Sequence, residues 1–144
     1  MRRLAALATR FRSAIERSDR RQDPVLCDFP SCACGDASRL LETYLIDNGF
    51  AEVEHVAARS KYTSNGLPSH AWTEWRGIII DITSDQFADS PGPPVTVSAD
   101  HAWHARFEEY ERDRPGVDVF GGIATARLRA WYAVLRRELA QVAG

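Results

Sequence analysis

The chain has 144 residues, 44% hydrophobic and 26% charged, with a formal net charge of −2. That is the make-up of an ordinary globular protein, long enough for one domain with a real core, taken as 1–144. The near-neutral balance makes no case for nucleic acid as a partner, and no apolar run approaches the length of a membrane span.

The N-terminal segment is basic: residues 1–21 carry seven arginines, among them Arg10, Arg12 and Arg17. Leu4, Leu7, Phe11 and Ile15 recur at helical spacing, which predicts an amphipathic helix ending near Ser18–Arg21. Arg10, Arg12 and Glu16 interrupt the apolar stretch, so it reads as a helix and not as a signal peptide, and a cytoplasmic setting is expected. The arginines make a solvated face or a docking surface for an acidic, substrate-delivering partner. Punctuation at Gln22–Pro24 and a loop follow. A second helix is expected from Cys34, with Ala37, Leu40, Leu41, Tyr44 and Leu45 as its stripe and Gly49 past its end. Phe50–Ala58 has strand composition, and "RSKYTSNGLPS" reads as a polar, mobile loop.

The stretch "SHAWTEWRGIIIDIT" (Ser69–Thr83) reads as a hairpin turning at Arg76–Gly77. A two-residue turn sets Trp75 opposite Ile78. It also makes His70 a diagonal neighbour of Asp81 on one face, about 7–8 Å apart at Cα and within reach of a side-chain bond. Asp81 interrupts an apolar run, so it needs a partner. The Pro-rich segment Ala88–Ser98 is expected to be ordered but irregular. A helix is expected over Asp100–Asp113, bearing His101 and His104, and a last helix over Thr125–Val142. The fold class is α+β, with terminal helices around a small antiparallel sheet.

All three cysteines lie within Cys27–Cys34. Zinc binding by Cys27, Cys32 and Cys34 with His55 or His70 fails on spacing, and a Cys32–Cys34 disulfide fails on span. Cys27 and Cys32 read as buried, inert thiols. Cys34 heads a helix, where unpaired N–H groups and the helix dipole favour the thiolate. With His70 as base and Asp81 as its orienting carboxylate, Cys34 becomes a candidate nucleophile. Gln22 and Gln86 are candidate oxyanion donors. Trp72 is expected beside the His70–Asp81 pair, and Trp75, Trp103 and Trp131 in the core.

"CGDASRLLETYLIDNG" and "HAWTEW" followed by "GIIIDIT" resemble the nucleophile helix and the His and Asp strands of the bacterial transglutaminase-like (papain-like) cysteine hydrolase superfamily. Lasso-peptide leader peptidases are nearest in size and motif. The resemblance implies a papain/transglutaminase-like core, with a nucleophile-bearing helix packed on the sheet. It also implies a peptidase or amidase acting through Cys34, His70 and Asp81 on peptide or protein amide bonds, without cofactor or metal. A deamidase or transglutaminase-type effector, or a non-catalytic peptide-binding adaptor, is the alternative.

Overall fold

A computed structural model describes residues 1–61, 69–90, 92–119 and 121–143. The expected mobile loop falls largely outside them. Among the described residues, three α-helices, α1 (Arg2–Arg17), α2 (Cys34–Asp47) and α3 (Gly122–Ala143), accompany five strands. The strands are β1 (Val53–Ser60), β2 (Ser69–Trp75), β3 (Ile78–Asp81), β4 (Thr96–Ser98) and β5 (Phe107–Asp113). They form one antiparallel sheet in the order β4-β3-β2-β1-β5.

The hairpin turns where its residues require it. Arg76 and Gly77 both take positive φ, 48° and 78°, the pair of left-handed residues that a two-residue turn between twisted strands needs. Trp75 pairs with Ile78 and Thr73 with Ile80, the register read from the sequence. Because strand side chains alternate, the sheet has two chemically distinct faces. One carries Ile78, Ile80 and Ile82 into the main core with Leu4, Phe11 and Ile15 of α1 and Leu40, Leu41 and Leu45 of α2. The other gathers Val56, Ala58, Trp72, Ile79 and Phe107, with Phe87 and Trp103 against them.

Helix ends follow their local chemistry. The amide of Asn48 closes α2 on the carbonyls of Tyr44 and Leu45, and Gly49 leaves the helix at φ 94°. Arg12 of the basic helix is buried. Its guanidinium is held by Glu16 at 2.6 Å, by Asp85 at 2.6 and 2.8 Å, and by the carbonyls of Ile82 and Pro94. It ties α1 to the chain between β3 and β4.

Two expectations are corrected here. Asp100–Asp113 is not a helix: a single 3-10 turn at His104–Arg106 leads directly into β5. The segment "FEEYERD" alternates as well as it coils, and pairing with β1 decides for the strand. The Pro-rich segment delivers β4, which becomes one edge of the sheet.

The α+β class describes the molecule, but the papain/transglutaminase-like core with a nucleophile-bearing helix does not. The body of α2 packs on the face of Ala71 and Thr73: Ser38 donates to the Ala71 carbonyl and Glu42 accepts from Thr73. The buried histidine–aspartate cluster lies on the opposite face, and only the first residue of α2 reaches toward it.

Candidate functional site

Asp81 is the last residue of β3, fully buried, on the face shared by Ile79 and Trp72. It has more partners than the sequence assigned. Its Oδ2 accepts from His70 Nε2 at 2.6 Å and from His104 Nε2 at 2.7 Å. Its Oδ1 accepts from the backbone N–H of Thr83 at 2.9 Å. His70 is 1% exposed and His104 5% exposed. Aromatic rings enclose both: Trp72 lies 5.6 Å from His70 and 4.8 Å from His104, centroid to centroid. Trp103, expected only as core, lies 4.9 Å from His104, and Phe87 and Phe107 complete the wall.

The electrostatics follow from this packing. Burial works against a charged His70, but the adjacent Asp81 carboxylate outweighs it and pushes the imidazole up to about 9. Burial likewise opposes the Asp81 charge, yet the two imidazoles hold that carboxyl far below the usual carboxylate range. The centre is therefore a carboxylate pinned between two ring N–H donors in a low-dielectric pocket.

His70 Nδ1 points the other way. Gln86 Nε2 stands 3.5 Å from it, while Gln86 Oε1 accepts from the Cys32 amide and Nε2 also donates to the Thr83 carbonyl. Gln86 thus braces the loop of Cys32 to the end of β3. Gln22, the other glutamine singled out, lies away from the centre, beside Trp131 and Asp23. Cys34 is half-buried, and His70 is the group that acts most strongly on its thiol against burial. Burial raises the Cys34 pKa, and His70 more than reverses that, leaving the thiol below its ordinary value. Cys27 and Cys32, expected to be buried, are exposed, and all three cysteines are free.

The expected Cys34–His70–Asp81 hydrolytic triad is corrected by this arrangement. Among the described residues, the group whose ligand atoms all lie within 4.8 Å of one another is His70, Asp81 and His104, without a cysteine. Asp81 is not dedicated to one imidazole. The groove that reaches the centre, about 780 Å³, is lined by His104 and Trp103 and not by Cys34. The cysteine peptidase, with its deamidase and transglutaminase variants and the lasso-peptidase resemblance, falls with that triad.

His70, Asp81 and His104 are residue types that hold metal ions. Their spacing, however, is that of hydrogen bonds: nitrogens and oxygens around a tetrahedral zinc at about 2.0–2.1 Å stand about 3.3 Å apart. His104 is the residue that sequence reasoning missed. The recurrence of "HAW" at His101–Trp103 marked the region, but its assignment to a helix hid the position. No family model, no curated protein and no solved structure matches this chain. Among the described residues, no helix is long and apolar enough to cross a membrane.

Proposed function

We propose that the His70–Asp81–His104 cluster is a general acid–base centre that acts through His104 on a ligand in the adjoining groove. One observation carries this reading. Two imidazoles share one oxygen of a fully buried carboxylate, and one of the two lines a cavity large enough for a small molecule. His104 Nε2 is committed to Asp81, and its Nδ1 has no partner among the described residues, which leaves that nitrogen for a ligand. Asp81 fixes the tautomer and orientation of His104, as an orienting carboxylate does for a catalytic imidazole. His70, kept protonated, balances the carboxylate charge. On the side away from Asp81, His70 favours the thiolate of Cys34. A cytoplasmic setting accords with this reading, since reducing surroundings keep three free thiols free.

Nitrogen-15 NMR of the histidine rings tests it without a substrate. His70 is expected to titrate near 9, and Asp81→Asn to bring it down to or below the ordinary value of about 6.5. Titration of His70 near 6.5 in both proteins removes the reading. Stoichiometric zinc binding that displaces a proton from each imidazole replaces acid–base chemistry with a metal site.

A further inference from the structure

Charge is divided unevenly among the elements. The helices α1 and α3 hold nine of the eighteen basic residues but only two of the twenty acidic ones, Glu16 and Glu138. The remainder of the chain holds nine basic residues against eighteen acidic. A near-neutral total therefore conceals a basic pair of helices and an acidic remainder.

The two helices lie against each other, and their arginines converge. Arg17 Nε of α1 reaches Glu138 Oε2 of α3 at 3.6 Å. A cavity of about 140 Å³ between the helices is lined by Thr9, Arg10, Ser13, Arg17 and Leu139. Leu139 also borders a second cleft, with Arg136 and Asn48, and Arg3 donates to the Asn48 carbonyl at 2.6 Å. Arg3, Arg10, Arg17 and Arg136 thus share one stretch of surface, and Arg137 is exposed beside them. The carboxylates that border it are Glu138 and Asp47, and Asp47 already accepts from the Tyr132 hydroxyl.

The cations of this face are largely unpaired. Among the described residues, Arg10, Arg136 and Arg137 have no hydrogen-bond or ion-pair partner. The Arg17–Glu138 pair is long and solvent-exposed, a geometry that contributes little. Several exposed arginines outside the face are neutralised locally instead: Arg21 by Asp19, Arg76 by Glu52 and Arg129 by Asp118. The exposed positions between the unpaired arginines, among them Ala6, Thr9, Ala133 and Ala140, are small. Those positions offer no large apolar side chain to enter a bilayer and no ring on which a base could stack. From Arg3 to Arg17 the face runs about 21 Å along α1, the length of about six extended residues. A longer polyanion would run off it onto acidic surface.

We propose that the α1–α3 face docks a short acidic segment of another polypeptide, whose carboxylates pair with the guanidinium forks of Arg10, Arg17, Arg136 and Arg137. The proposal goes beyond the acid–base reading and is independent of it. Thr9 borders both the cavity of this face and the groove at His104, so a docked partner lies beside the candidate site.

The test titrates octaglutamate into the nitrogen-15-labelled full chain and follows backbone amides and arginine side chains. Saturable binding is expected, with the shifts gathered on α1 and the second half of α3. Raising the salt from about 0.01 M to about 0.1 M shortens the screening length from about 30 Å to about 10 Å and is expected to weaken binding at least about tenfold. Arg10→Glu combined with Arg137→Glu is expected to weaken it about tenfold or more. Arg59→Glu combined with Arg114→Glu makes the same change of net charge outside the face and is expected to stay within about twofold of the parent. All four side chains are exposed and without an ion-pair partner, so both double variants keep the fold.

Equal loss in the two double variants overturns the proposal, because net charge and not a face then governs binding. So does the absence of saturable binding, which leaves a solvated surface. Tighter binding of a short DNA duplex or of phosphatidylserine vesicles overturns it in favour of that partner. Self-association that is reversed both by salt and by the Arg10 and Arg137 changes gives the face to the acidic side of a second copy, and overturns it too.

Discussion

Glu42 and Asp81 are both fully buried carboxylates, each 2.6 Å from a histidine nitrogen, on opposite faces of one sheet. Glu42 takes His55 Nδ1 and Thr73 Oγ1 on one oxygen and the Gly116 amide on the other. It ties α2, β1, β2 and the chain after β5 together. Asp81 takes two imidazoles and a local amide, and one of those imidazoles lines a groove. Burial, short hydrogen bonds and pairing are therefore common to both. Access is what separates a structural knot from a candidate site, because a proton is useful only where a ligand can meet it.

The largest expected effect addresses the part the two share. Glu42→Ala and Asp81→Ala each strand an imidazole in the interior and should each cost about 3–5 kcal/mol, read from urea unfolding. The difference lies in the groove. In whatever fraction stays folded, Glu42→Ala should leave the ring-nitrogen resonances of His104, at the groove, unchanged, while Asp81→Ala moves them by releasing His104. Equal disturbance of the groove by both changes would collapse the distinction.

Stability against pH sharpens the comparison on the Asp81 side. The raised His70 pKa means that its contribution is complete below about 6.5 and is lost as pH rises through about 9. Asp81, depressed, contributes above about 4 and loses that contribution as pH falls toward its folded value. Cys34, also depressed, gains as pH rises toward the ordinary thiol value and partly offsets His70. The alkaline loss should therefore be clearest in Cys34→Ala, measured as a falling urea midpoint between about pH 6.5 and 9. A flat alkaline limb there would mean that His70 is not held protonated.

A smaller effect concerns Cys34. Iodoacetamide labelling of Cys34 should have a pH midpoint below the ordinary thiol value of about 8.5. His70→Ala should move the midpoint above that value, since burial remains and its counterweight is gone. An unmoved midpoint would detach Cys34 from the cluster.

The hairpin was legible because its information is local. Arg76–Gly77 dictates a tight turn, the turn dictates the register, and an aspartate in "GIIIDIT" demands a partner. His70 as one partner followed from that register. His104 did not, because its position depends on β5 pairing with β1, a choice that "HARFEEYERD" leaves open: its Glu and Arg residues suit an exposed helix as well as an edge strand. The cysteines failed for a related reason. Composition says that thiols prefer the interior, but a thiol's exposure is set by the path of its loop, and Cys32 sits at φ 57°, a turn conformation that brought it to the surface. The burial of Arg12 was not legible either, because its partners Asp85 and the Ile82 and Pro94 carbonyls lie about seventy residues or more away along the chain.

The two edges of the sheet have different colloidal consequences. β4 offers only three residues, set beside the groove. β5 is seven residues long and exposed for most of its length, an open template for a strand from another molecule. Its sequence is a deterrent. Glu108, Glu109 and Glu111 stand along it, so two copies approaching edge to edge bring like charges together. That protection depends on ionised carboxylates, and acid that protonates them turns the same edge into the surface from which fibrillar stacking can begin.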